Sequence, residues 1–194
     1  MDQPSSPGAA RAPDRRNWSL MHRLRRDESG TTAVEMALIA TPFFALLFAI
    51  IQLGYRFLAS EALDTAVAEG SRQIMTGQVQ TGGTITTAAQ FRDQVLCNSN
   101  KRLVPFFMDC NKLVVDVRRL SSFGDAPIAS SGADLLNGAA TTYDPGVKGS
   151  IIVARAAYGL TAIAPQLTGG GAHLIGGEQK YALLGVYVFR NEPY

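Results

Sequence analysis

The chain has 194 residues, 46% of them hydrophobic and only 18% charged, against the roughly 25% charge usual for a soluble domain. A formal net charge of +2 leaves no strong basic excess to neutralise phosphates, which argues against nucleic acid as a partner. Two cysteines and two histidines are too few for a Cys/His zinc cluster, so neither a metal nor a cofactor is expected.

Charge is unevenly distributed. Six of the eighteen basic and four of the sixteen acidic side chains fall in the first thirty residues, leaving twelve of each beyond Gly30. Between Arg11 and Arg26 stand six arginines against one acid, Asp14. Residues 1–30 hold no apolar run and open with Pro4-Ser5-Ser6-Pro7-Gly8. Such a stretch cannot bury enough apolar surface to offset its ordering entropy, which predicts a disordered basic leader.

From Met36 to Tyr55 run twenty residues without a charge, closed by Glu35 on one side and Arg56 on the other. At 1.5 Å per residue a helix of that length covers about 30 Å, the thickness of a bilayer's hydrocarbon core. The alternative is the buried core helix of a soluble protein; an apolar run of this length, hydrophobic around its whole circumference, favours a transmembrane helix over residues 31–55. A secretory signal would have a shorter apolar stretch with an A-x-A site close behind it. Here the nearest candidate, Ala66-Val67-Ala68, begins eleven residues beyond Tyr55. The arginine cluster puts the N-terminal side in the cytoplasm by the positive-inside rule, and everything after Arg56 across the membrane. Pro42 lies inside the run; it would cost about 3 kcal/mol in a water-exposed helix interior but is tolerated in membrane helices, where it can mark a bend.

Beyond Arg56, an apolar stripe of Phe57, Leu58, Leu63, Ala66, Val67, Gly70 and Ile74 predicts an amphipathic extension over 56–77, packed on a head at 78–194. Gly77 is a natural stop. A helix from about Thr32 to Thr76 would be about 68 Å long. Residues 78–88 read as a Gly/Thr-rich linker, and Ala88–Cys97 as a short helix capped by Thr86 or Thr87. Three strands follow, Leu113–Leu120, Ser150–Tyr158 and Tyr181–Arg190, separated by long loops at Ser121–Gly149 and Pro165–Gly177. The expected fold class is α+β: a long N-terminal membrane helix, an amphipathic stalk and a small antiparallel-sheet head. Cys97 and Cys110, on the oxidising side of an inner membrane, read as a disulfide rather than two buried thiols. Closing a loop of that size contributes about 3 kcal/mol in the chain-entropy model.

Glu35 is the feature a plain anchor leaves unexplained, because a carboxylate at the edge of a membrane helix is unfavourable. It stands five residues after Gly30, in Gly30-Thr31-Thr32-Ala33-Val34-Glu35-Met36-Ala37-Leu38. This stretch resembles the prepilin class, most closely the TadE-like pseudopilins of the tight-adherence (Flp) pilus system, whose core reads G-x-x-A-V-E-F-A-L; Met36 replaces the common phenylalanine. Pro42 falls where that family often carries a proline. Ala66–Arg72 is similar to the small-residue and arginine stretch after the family's membrane helix, and Val188–Tyr194 to its V-x-R-N-E-P-[FY] ending. The resemblance is strong over residues 30–75 and thin through the middle of the chain.

The resemblance implies cleavage between Gly30 and Thr31 by a membrane aspartyl prepilin peptidase on the cytoplasmic face. Glycine lets the backbone enter a protease cleft without a side-chain clash. The freed Thr31 amine and the Glu35 carboxylate would then neutralise each other within or between subunits, which costs far less in low dielectric than either charge alone. Glu35, with Pro42, becomes a subunit-packing residue. Membrane lipid, prepilin peptidase, other pilin subunits and the assembly machinery are the implied partners.

No nucleophile–base arrangement stands out, and no enzyme is expected. His22 lies in the leader, and His173 sits beside Gly169-Gly170-Gly171, which lacks the lysine of a phosphate loop. Two readings share this topology: a pilin-like subunit, and a permanently anchored single-span envelope protein whose head binds a partner. They differ at the Gly30–Thr31 bond.

Overall fold

In the computed structural model residues 30–125 and 131–194 are described; the basic leader up to Ser29, with its expected disorder, lies outside them. The chain divides into two compact units, residues 1–46 and 47–194. Good helix formers dominate the stretch after Gly30, and one α-helix, α1, spans Thr31–Met75. In the first unit its apolar side chains are exposed on every face. Pro42 removes the N–H that would reach the Leu38 carbonyl, and just before it the Thr41 hydroxyl donates to the Ala37 carbonyl at 2.7 Å.

Within the second unit α1 becomes one wall of a core. Ala59, Leu63, Ala66, Val67, Gly70, Ser71 and Ile74 are buried, at the three- and four-residue spacing that lines up one helix face. The stripe is the expected one from Leu63 onward. Phe57 and Leu58, expected to join it, are instead exposed, because the buried face reaches the helix only at Ala59.

Gly77 ends the helix with φ of 78°, a conformation that glycine adopts without Cβ strain. The Tyr194 ring packs against it so closely that a Cβ would stand 2.2 Å from the ring. The last carbonyls of the helix need partners from elsewhere: the Glu192 N–H donates to Met75 O at 2.9 Å, and the Gln80 amide donates to Ile74 O at 3.2 Å. Residues 78–88 are not wholly a linker: a one-turn helix, α2, occupies Gln78–Gly82. The next helix, α3, covers Ala88–Phe91 with Thr87 and Gln90 forming a reciprocal capping box, and a π-turn at Arg92–Leu96 prolongs it.

The sheet comprises β1 (Val114–Leu120), β2 (Ile151–Thr161), β3 (His173–Ile175) and β4 (Glu178–Arg190), all antiparallel in the order β1-β2-β4-β3. The three expected strands are present, two of them longer than expected. The two expected loops hold more structure: a capped helix, α4 (Gly132–Leu136), lies in the first, and β3 in the second. Residues alternate across the sheet. Val115, Val117, Ala154, Ala156, Leu183 and Phe189 join the helix-side core. The opposite face carries Asp116 and Arg155, paired across β1 and β2.

That pair is fully buried and fully bonded. Arg155 Nη2 donates to Asp116 Oδ2 at 2.6 Å and Nε at 3.1 Å; Arg118 Nε donates to Oδ1 at 2.9 Å; the Thr142 N–H donates to Oδ1 at 2.8 Å. One carboxylate therefore fixes the β1–β2 register and the loop beside β1. Removing it takes away the buried counter-charge that faces Arg155, so Asp116→Ala is expected to lower head stability by about 3–5 kcal/mol in urea unfolding.

Tyr143 packs on Phe91, ring centroids 6.0 Å apart, with its buried hydroxyl unpartnered. Burial holds its ionisation well above the ordinary phenol range. Below about pH 10 both folded and unfolded chains keep this proton; above it the unfolded chain loses the proton first, so stability falls as pH rises. Tyr143→Phe is expected to leave neutral-pH stability unchanged or raise it by about 1 kcal/mol, and to flatten the alkaline decline in a thermal-unfolding series.

Candidate functional site

The residues that the sequence singles out stand at the start of α1. Gly30 immediately precedes the helix, Thr31 opens it, and Glu35 lies one turn on, on the same face as Thr31. All three are exposed. A β-carbon added at Gly30 would meet nothing within 4 Å, so nothing in the described structure requires glycine there. Among the described residues no cation lies within ion-pair distance of Glu35. Pro42 sits further along the same helix. From Thr31 to Leu58 no residue of α1 is buried, and the helix is long and apolar enough to cross a membrane.

Residues 30–72 match the TadE-like protein family. No curated protein and no solved structure matches the chain. The TadE-like segment takes in the Gly30–Glu35 junction, the exposed apolar helix and the buried small-residue stretch as far as Arg72. It stops before the sheet begins. The small residues of that stretch have a local reason: Gly70 lies under Leu96, whose Cδ2 would be 2.7 Å from an added β-carbon. Bulkier side chains would push the helix off the turn that follows α3.

Beyond the TadE-like segment, the C-terminal stretch Val188–Tyr194 acts as a clasp. Asn191 is buried, its amide donating to Pro145 O at 2.9 Å and to Val147 O at 3.2 Å. Arg190 Nε donates to Gly149 O at 3.0 Å. With the Glu192 N–H on Met75 O, these bonds tie β4, the loop before β2 and the end of α1 together, a structural role for the motif.

Sequence reasoning missed the Asp116–Arg155 pair. Its signal was there: an acid between valines in VVDVRRL and a lone arginine in the otherwise uncharged IIVARAAY. The oxygens of Asp116 are taken up by two arginines and a backbone N–H, which leaves a brace and no reactive group. His173 is exposed on the short edge strand β3. Among the described residues no group of three or more His, Cys, Asp or Glu is placed to hold a metal ion.

Cys97 and Cys110 are joined in a disulfide, Cα atoms 6.2 Å apart. The bridge closes the apolar loop 103–108, and Arg102 fastens it from inside by donating to the carbonyls of Val104, Pro105 and Met108. Replacing both cysteines by serine is expected to cost about 3 kcal/mol of head stability, read as a lowered midpoint in non-reducing chemical unfolding.

Proposed function

We propose that this chain is a minor pilin-like subunit, a pseudopilin, for biogenesis of a tight-adherence (Flp) pilus, inserted as a precursor and cut between Gly30 and Thr31 by prepilin peptidase. The carrying observation is the division of α1: a TadE-like helix that buries nothing from Thr31 to Leu58, then packs a folded head from Ala59 on. A helix so bare needs lipid, or other helices of its kind, around it. Gly30, which no neighbour in the fold demands, serves a cleft outside the chain.

The arginine-rich leader orients the helix with its N-terminus in the cytoplasm. The head at 78–194, with the amphipathic part of the helix at 56–77, then lies in the periplasm, where the Cys97–Cys110 bridge persists. After cleavage the Thr31 amine and the Glu35 carboxylate stand one helical turn apart. Within lipid they lower each other's cost, and a neighbouring subunit settles where its charge meets the partner's. Function is helix-to-helix packing within the pilus assembly machinery, with no bond-making chemistry by this chain.

Intact mass and N-terminal sequencing of the protein extracted from membranes test this directly: the mature chain is expected to begin at Thr31. A chain that keeps its first thirty residues would be a permanently anchored single-span protein instead. Glu35→Ala is expected to be cleaved normally yet to reach the pilus fraction at a level about tenfold lower, the effect of some 1.4 kcal/mol of lost pairing. Immunoblots of sheared fibres against total membranes measure it.

A further inference from the structure

The head of a soluble protein keeps large apolar side chains inward or scattered. Here several are gathered at one end. Phe106 is 90% exposed and Ile163 is 87% exposed. Phe57 and Leu58, just past the uncharged run, are exposed as well. The Phe106 loop is no loose tip: the disulfide closes it, Arg102 holds three of its carbonyls, and Phe107 beside it packs on Tyr55 with ring centroids 5.3 Å apart. A rigid loop that presents a bare phenylalanine is built to meet something apolar.

Its depth tells what. Tyr55 is the last residue of the uncharged run, so Phe106 and Phe107 stand level with the end of the apolar helix. Ile163 reaches further along it: with Phe48, Ile51, Tyr55, Leu160 and Tyr181 it lines an open groove of about 520 Å³. Gln52, which also lines it, donates its amide to the Tyr181 hydroxyl at 3.5 Å. Arg56, the first charge after the run, lies with its guanidinium 4.5 Å over the Tyr181 ring, a cation–π contact that marks where the apolar wall ends.

We infer that this end of the head is a lipid-binding collar: the Phe106 loop, the Ile163 loop and the groove between Ile163 and α1 sit in the outer leaflet of the membrane that α1 crosses. The inference rests on the membrane-spanning reading of α1 and goes beyond it, since a simple anchor needs no contact between head and bilayer. Aromatic side chains at the end of the span match the belt seen at membrane interfaces. Surface-bound apolar segments lie about 5–10 Å below the headgroups, and Phe48 to Tyr55 covers about that depth at 1.5 Å per residue. The collar fixes the tilt and height of the head before any partner arrives.

Single-tryptophan quenching tests it in the full chain. With Trp18→Phe removing the native indole, Phe106→Trp, Ile163→Trp, Phe48→Trp and Phe123→Trp are placed one at a time, and each protein is put in nanodiscs that hold one copy. Phe123, exposed, follows the far end of β1 and serves as the distal control. Lipids brominated near the headgroup are expected to remove most emission at positions 106 and 163 and to leave position 123 unchanged. Lipids brominated deep in the chain should quench position 48. Quenching at 48 without quenching at 106 and 163 overturns the collar while leaving the anchor intact; no quenching at 48 removes the anchor itself. Quenching at 123 equal to that at 106 also overturns the collar, since the head would then lie flat. If indoles at 106 and 163 escape lipid quenching but lose access to aqueous iodide only in discs holding two copies, the surface belongs to a neighbouring subunit and the collar is rejected.

Discussion

The fold depends on one constraint: a single helix must satisfy two environments. From Met36 to Tyr55 its side chains carry no charge on any side, and none of them is buried by protein. From Ala59 to Ile74 only one face is apolar, and that face is made small so that a sheet can approach. The change comes within one turn, where Arg56 lies over Tyr181 and the Phe107 ring meets Tyr55. A fully apolar helix in water would aggregate, and a fully amphipathic one would not cross a bilayer. The sequence of this helix is legible as a compromise between these two demands.

The sheet answers the helix with a sided design. Its inner face is aliphatic, and its outer face holds the Asp116–Arg155 pair under a loop and α4. A buried ion pair adds little net stability, yet it penalises every register in which the charges fail to meet. With Val, Ile and Ala repeating along β1 and β2, a slip by two residues would otherwise be inexpensive. Asp116, with its three donors, singles out one alignment.

Much of this was readable from the amino acids alone, for reasons that differ by element. The long helix was evident because twenty uncharged residues and a following stripe leave few alternatives. The three longer strands carry β-branched and aromatic runs. Phe57 and Leu58 were misplaced because periodicity reports which faces are apolar, and cannot say where protein cover begins. Two short elements were hidden by glycines. In α4 the box Ser131-Gly132-Ala133-Asp134 is a helix start, but one turn is too short to stand out from a loop with five glycines. The hairpin of β3 and β4 turns on Gly176-Gly177, both at positive φ, a tight-turn signal read only as loop. Strand order was beyond reach, since β1 pairs with β2, and β2 with β4, across long connections that no local pattern in the sequence specifies. At the candidate site, Gly30, Thr31 and Glu35 rest on their spacing, and the fold adds that Gly30 has no local steric reason to be glycine.

The buried stretch of α1 has a mechanical consequence. Along four turns from Ala59 to Ile74 the buried face is held in the core, Leu63 and Val67 against the sheet at Gly185 and Gly70 under Leu96, and the clasp at Met75 closes the far end. A pull along this part of the rod has no slack joint to extend first. It loads the whole contact in shear, the geometry in which many small contacts must fail at once, so tension passes into the folded body before any strand can peel away.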